Sequence, residues 1–259
     1  MLNTNLKGKT ALVCGASGGI GAAIAKSLGE LGARVIGVAR TEDKLRSVLR
    51  EIPDSRLLVC DVTDHAKLRS LVEAELQACG GAIEILVNNS SGPKGGPITD
   101  AALDEFSKAF HQHVLTNQLL AQTLIPGMKS RGFGRILNVI STSVRMPIPG
   151  LGVSNTVRAA TASWAKTLAS EVAPFGITVN SVLPGYTRTE RLSSLIKAAA
   201  EKSGKTEVQV AEEWKAVTPV KRFGEPEEIA AAVAFLASPS AGFITGVALP
   251  VDGGRIGAI

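Results

Sequence analysis

The run Gly15-Ala16-Ser17-Gly18-Gly19-Ile20-Gly21 has the residue types and spacing of a phosphate cradle. Glycines permit a tight turn and a close approach of the backbone to an anion, and a helix starting there offers free amides and the positive end of its dipole. A strand-like run, Thr10–Cys14, precedes the turn and a helical pattern, Ile20–Leu31, follows it. Gly15, Ser17, Gly18, Gly19, Ile20 and Gly21 are therefore expected to hold a dinucleotide pyrophosphate. The next strand-like run ends at Ala39, followed by Arg40 and Thr41. A carboxylate at its end would bond a ribose and repel a 2′-phosphate. Its absence beside a planar, permanently charged guanidinium favours NADP(H) over NAD(H). Two more residues have chemistry of their own. His113, with a reference pKa of ~6.5, is able to exchange protons at neutral pH or to serve as a helix-borne structural residue. Tyr186, the only tyrosine, follows the Pro184-Gly185 turn and either donates a proton or covers a cofactor. No metal site is expected: His111 and His113 point to different faces of a helix, and Cys14, Cys60 and Cys79 show no close Cys/His pairing.

These residues need a scaffold, and the chain alternates short β-rich runs with longer helical ones. Thr10–Cys14, Arg34–Ala39, Arg56–Val59, Ile83–Asn88, Arg135–Ile140, Thr178–Leu183 and Ala248–Val251 read as seven strands. The intervening helical patterns, such as Ala159–Ala173, imply right-handed crossovers between parallel neighbours. The expected fold class is α/β, a single-domain doubly wound Rossmann fold over 1–259, with a seven-stranded parallel sheet and helices on both faces. Glu190–Pro219 interrupts the rhythm. It carries Arg191, Lys197, Lys202 and Lys205, and reads either as a substrate lid or as a solvated helical pair.

At 259 residues and 45% hydrophobic content the chain can bury a large core. Its longest apolar runs fall well short of the ~20 residues that cross a membrane. The net charge of +5 is spread along the chain, which argues against nucleic acid and suits an anionic cofactor or substrate. Met1–Lys9 lacks the apolar stretch of a secretory signal, and a cytoplasmic location is expected.

The spacing Gly15-x-x-x-Gly19-x-Gly21 differs from the common dinucleotide fingerprint and resembles the turn of the short-chain dehydrogenase/reductase family, with Cys14 where that family usually has Thr. The resemblance extends over nearly the whole chain. Asp61-Val62 matches the family's adenine-contacting pair. Asn88-Asn89-Ser90-Ser91-Gly92 matches its Asn-Asn-Ala-Gly segment, and Pro184-Gly185-Tyr186-Thr187-Arg188-Thr189 its nicotinamide-side segment. Arg222–Ala230 and Val251-Asp252-Gly253-Gly254 are similar to two further segments. The resemblance implies cofactor contacts from Asp61, Val62, Asn88, Ser90, Arg158, Pro184, Gly185 and Thr187. It also implies a homotetramer, paired through Asp104–Arg131, Ala159–Ala173 and the C-terminal segment.

The family's working set is a Ser, a Tyr thirteen residues later, a Lys four after that, and an Asn on the preceding long helix. This chain has Ser141, Ser154, Arg158 and His113 at those positions. A Tyr–Lys pair works by lowering a phenol from ~10 toward the operating range, which a serine hydroxyl cannot match. Ser154 suits either chemistry or an N-cap at the start of the helix that carries Arg158. Arg158 can hold the nicotinamide ribose and present charge to a carbonyl oxygen. The pattern looks like a divergent branch of 3-oxoacyl reductase-like members. Two functions are consistent with it. One is an NADP(H)-dependent oxidoreductase that reduces a 3-oxoacyl thioester-like or small ketone substrate, or oxidises a secondary alcohol. The other is a dinucleotide-binding module with little turnover, kept as a sensor or oligomer partner.

Overall fold

The computed structural model describes residues 2–257; Met1, Ala258 and Ile259 lie outside the described residues. Seven parallel strands, β1 (Thr10–Cys14), β2 (Arg34–Ala39), β3 (Arg56–Val59), β4 (Ile85–Asn88), β5 (Gly134–Val139), β6 (Ile177–Pro184) and β7 (Ala248–Val251), form one sheet in the order β3-β2-β1-β4-β5-β6-β7. This is the doubly wound α/β architecture the alternation predicts. The fourth strand starts two residues later than its apolar pattern suggests. Glu84 is already turned toward β1, its carboxylate accepting from the Thr10 amide at 3.0 Å.

The alternation of the strands sends their side chains to two cores. Ala11, Val13, Val35, Ile85, Val87 and Leu137 pack against α1 (Gly19–Glu30) and α9 (Pro226–Ala237) on one face. Leu12, Cys14, Ile36, Leu86, Ile136 and Val179 pack against α3 (His65–Ala78), α5 (Thr116–Arg131) and α6 (Gly152–Val172) on the other. Each fully buried Leu or Ile contributes roughly 1.5–3 kcal/mol of transfer free energy. Both sheet faces must therefore be covered, which is why the strands read as near-continuous apolar runs.

Between α4 (Leu103–Phe110) and α5 the chain makes one π-helical turn, His111–Leu115, so the expected long helix is continuous but locally widened. The segment after β6 forms α7 (Glu190–Ser203) and α8 (Glu207–Ala216), each begun by a Thr that accepts from the third helical amide. Leu192, Ile196, Ala200, Val210 and Phe223 give this pair its own small apolar cluster, with Tyr186 and Trp214 packed on it. The sheet order reverses at β1, whose neighbours are β2 and β4, and the carboxyl ends of the strands there open into a cleft, as is usual for ligand sites in such sheets.

Candidate active site

The cleft has a volume of about 1540 Å³ and runs from the glycine turn past the ends of β4, β5 and β6 to α7. Its floor at one end is the turn, where two glycines are required by space. Gly15 has φ +66°, and a methyl group on it would lie 2.7 Å from Asn89 Nδ2. A methyl on Gly21 would collide with the Gly15 carbonyl oxygen. Asn89 clamps the turn further, its amide donating to the Cys14 carbonyl at 3.2 Å. The N-terminus of α1 has no side-chain cap and no acidic residue in its first turn, so its amides face the cleft unopposed. That is the arrangement an anionic pyrophosphate fits.

At the outer end, Ala39 and Arg40 line the cleft, with Lys44 of α2 (Glu42–Leu49) beside them. Arg40 Nη1 lies 3.8 Å from Asp61 Oδ2, and both groups are exposed. Such a pair is worth little in water and yields easily to a phosphate. Asp61 also accepts from the Thr63 amide and hydroxyl, and these bonds hold its carboxyl below the usual range. Thr41 does not line the cleft; it stands at the N-cap of α2 without a side-chain bond.

Ser141, Ser154 and Arg158 converge at the inner end. Ser141 follows β5 in extended conformation, and its hydroxyl oxygen accepts from the Ser143 amide at 3.1 Å, leaving its proton free to donate. Ser154 is not the N-cap: α6 begins at Gly152 after Leu151, which places Ser154 inside the first turn and facing the cleft. Four residues on, one helical turn, Arg158 is buried. Its Nη1 donates to the Val139 carbonyl at 2.9 Å and its Nη2 to the Ser90 carbonyl at 3.4 Å, while Nε is buried without a partner. Burial and the neighbouring Arg191 pull its pKa down to about 10, so it is still a cation at neutral pH.

Two further expectations need correcting. Asn88 does not reach the cleft: strand alternation turns it inward, where its amide donates to Asn138 Oδ1 at 2.9 Å, and Asn89 takes the place at the turn. His113 does not titrate near neutrality. It is buried behind Ser90, its Nδ1 2.9 Å from the Ser90 hydroxyl and its Nε2 without a partner. Desolvation first, and then the charge of Arg158, push its pKa down to about 3. It therefore stays neutral and positions Ser90.

A depressed histidine makes folding sensitive to acid. Between pH ~6.5 and about 3 the unfolded chain binds a proton that the native chain refuses, so stability is complete above ~6.5 and is lost as pH falls. Replacing His113→Asn is expected to flatten that fall by several kcal/mol, read from urea unfolding at pH 7 and pH 4. A slope identical in the two proteins would refute the buried, neutral imidazole.

The roof adds Trp214 and Arg255, which sequence reasoning passed over. Tyr186 stacks on Trp214 with ring centroids 4.8 Å apart, and Arg255 Nη2 donates to its hydroxyl at 3.2 Å. The loop bearing Tyr186 and Thr187 is fastened by two bonds to Gly224, which a bidentate Arg222–Glu228 pair anchors in turn. Thr187 is buried, its hydroxyl on the Gly185 carbonyl at 3.1 Å. Gly185 is packed against Asp252, which is why the Val251–Gly254 segment matters to the site. From α7, Arg191 and Lys202 face the cleft, whereas Lys205 is paired with Glu213 and Lys197 does not line it. Among the described residues no cluster of His, Cys, Asp or Glu could hold a metal ion, and the three cysteines are free.

A family profile described as Enoyl-(Acyl carrier protein) reductase matches residues 15–255. A 3-oxoacyl-[acyl-carrier-protein] reductase FabG of Vibrio cholerae is 36% identical over 251 residues, covering 96% of this chain and 98% of the relative. The structure of L-sorbose reductase from Gluconobacter frateurii with NADPH and L-sorbose superimposes with a TM-score of 0.90 at 31% identity, covering 99% of this chain and 100% of the other. A single-residue variant of actinorhodin polyketide ketoreductase with NADPH gives 0.91 at 30% identity, covering 96% and 98%.

Proposed function

The chain belongs to the short-chain dehydrogenase/reductase family, and from that premise we propose that it is an NADP(H)-dependent oxidoreductase reducing a carbonyl, 3-oxoacyl thioester-like or a small ketone, or oxidising the corresponding secondary alcohol. The observation that carries this reading is that one cleft joins the glycine cradle to Ser141, Ser154 and Arg158. The cradle would hold the pyrophosphate, Arg40 the 2′-phosphate, Asp61 and Val62 the adenine side, and Ser90, Pro184, Gly185 and Thr187 the nicotinamide side. When bound, NADPH supplies the hydride. The chain's own task is then to orient the substrate oxygen and stabilise its developing charge. The Ser141 hydroxyl donates one hydrogen bond to it, and the Arg158 guanidinium holds positive charge beside it. Water, or the Tyr186 hydroxyl, delivers the proton. The missing phenol at Ser154 is the one feature that favours a binding-only role.

Consumption of NADPH with a panel of acyl thioesters and small ketones tests the reading; bound NADPH with no turnover on any of them would favour the binding-only role. Cofactor choice has its own test. One charge-assisted contact contributes ~1.5–3 kcal/mol, so NADPH should bind about tenfold or more tighter than NADH. Ala39→Asp should reverse that order, measured by fluorescence titration. Equal affinities in the unaltered protein would sink the assignment to Arg40.

The same reading makes α7 and α8 a lid over the substrate and the protein a cytoplasmic homo-oligomer, a tetramer by family resemblance. The oligomer is supported by an apolar groove of about 720 Å³ bordered by Phe235, Val247 and Leu249. No described helix is long and apolar enough to cross a membrane.

A further inference from the structure

Among the described residues five surface arginines pair with carboxylates: Arg40 with Asp61, Arg46 with Glu42, Arg56 with Glu75, Arg188 with Glu225 and Arg222 with Glu228. Those at the inner end of the cleft do not. Among the described residues Arg158 bonds to the Val139 and Ser90 carbonyls, Arg191 to the Pro93 carbonyl at 2.7 Å, and Arg255 to the hydroxyls of Thr142 and Tyr186, none of them to a carboxylate. Glu190, the acid nearest them along α7, reaches instead toward Lys44 at the opposite end. Arg158 and Arg191 also converge. A methyl group built on Gly92 would lie 3.6 Å from Arg191 Nη2 and 3.8 Å from Arg158 Nη2, so the two guanidinium ends are no further apart than one small oxyanion can bridge. Arg158 is 7% exposed and keeps a buried N–H with no partner. Two like charges held together, one of them out of water, are an unfavourable arrangement that an incoming anion relieves.

We propose that Arg191, beside the buried charge of Arg158, receives an anionic group carried by the substrate, a carboxylate or a phosphate, so that the ketone or acyl compound reduced is an anionic one. The planar fork of a guanidinium matches both groups. Arg191 acts here as a specificity residue, and the anionic group passes through the reaction unchanged while hydride adds to the carbonyl carbon and a proton to its oxygen. The cofactor's own pyrophosphate is a poor claimant for Arg191. Thr189, two residues earlier, abuts the turn at Gly19, with its Cγ2 3.2 Å from a methyl built there, whereas Arg191 has turned away to Gly92 and Pro93.

The inference rests on the reductase reading, and the test separates the two. NADPH oxidation is followed with 2-oxobutanoate, 3-oxobutanoate and 4-oxopentanoate against their methyl esters, and with dihydroxyacetone phosphate against dihydroxyacetone. At least one anion should exceed its neutral counterpart tenfold or more in kcat/KM, and the better series identifies carboxylate or phosphate. Arg191→Gln should bring the ratio near one, chiefly through KM, and Arg191→Lys should keep part of it. Neutral partners used equally well by the unaltered protein overturn the proposal. So does an Arg191→Gln variant that loses NADPH affinity but keeps the ratio, which would place the residue on the cofactor. If NADPH binds and no carbonyl is reduced, the reductase reading fails, and the anion site is read from binding alone. 3-Hydroxybutanoate or glycerol 3-phosphate should then raise the melting temperature of the NADPH complex while methyl 3-hydroxybutanoate and glycerol do not. No protection by either anion overturns the site.

Discussion

Arg158→Ala is expected to lower kcat for carbonyl reduction by about 10²–10³-fold, the usual cost of removing one donor from an oxyanion site. The effect is electrostatic. Arg158 is the buried cation of the inner cleft, held by two carbonyl oxygens and not by a carboxylate, so its charge is not spent on an internal ion pair. In a site shielded from water such a charge acts on a developing alkoxide far more strongly than it would in solvent. NADPH affinity should fall as well, since the family resemblance assigns this guanidinium to the nicotinamide ribose, whereas Ser154→Ala should leave affinity nearly intact. Folding need not suffer: the alanine variant relieves the burial of a charge while leaving two carbonyl oxygens short of a donor, effects of opposite sign and about 1–3 kcal/mol each. Pre-steady-state hydride transfer, read with the melting temperature beside it, distinguishes lost chemistry from lost structure. A kcat within a few-fold of the unaltered protein would remove Arg158 from the reaction.

The complementary change should go the other way. Ser154→Tyr combined with Arg158→Lys installs a phenol and an amine one helical turn apart on α6, where both positions already face the cleft. General acid catalysis contributes typically 10²–10⁴-fold, so reduction should accelerate by about 10²-fold or more. His113 does not obstruct the phenol, because it sits behind Ser90 and outside the cleft wall. The pH profile carries the signature. The unaltered protein has His113 at about 3 and Arg158 at about 10, so neither supplies a step in the neutral range. The double variant donates from a protonated phenol, and its kcat for reduction should fall as pH rises through that phenol's lowered pKa. A double variant slower than a rapid parent would mean that Ser154 and Arg158 already belong to a different working mechanism, and Tyr186→Phe would then decide whether the tyrosine is its acid.

Local features are the legible ones. The seven strands, the glycine turn and the Ala39-Arg40 edge each lie within a few consecutive residues, where alternation, backbone freedom and charge can be read directly. What escapes depends on direction or on distant partners. Asn88 and Asn89 differ by one residue, yet strand pleating sends them to opposite destinations. Ser154 has the residue type of a helix cap and a stretch rich in turn formers before it, but the helix starts two residues earlier, at Gly152. His113 can be placed on its helix by counting, and its burial against Ser90 cannot, because that comes from packing between α4, α6 and the loop after β4. Lys44, Trp214 and Arg255 reach the cleft from three separate stretches of chain that only the folded sheet brings together.

The stacking of Trp214 on Tyr186 has an optical side. The chain has two tryptophans, and they occupy different worlds. Trp214 borders the cleft, whereas Trp164 lies on α6 with its indole N–H on Gln118 Oε1 at 2.8 Å, packed at the edge of the core beneath the sheet. Emission from the first should respond to whatever enters the roof of the site, and emission from the second, away from the cleft, should not. The protein thus contains its own fluorescent reporter and its own internal reference. With Trp164→Phe the signal becomes a single-site readout of ligand arrival, needing neither an attached dye nor turnover, which lets binding be followed on its own where the chemistry is slow.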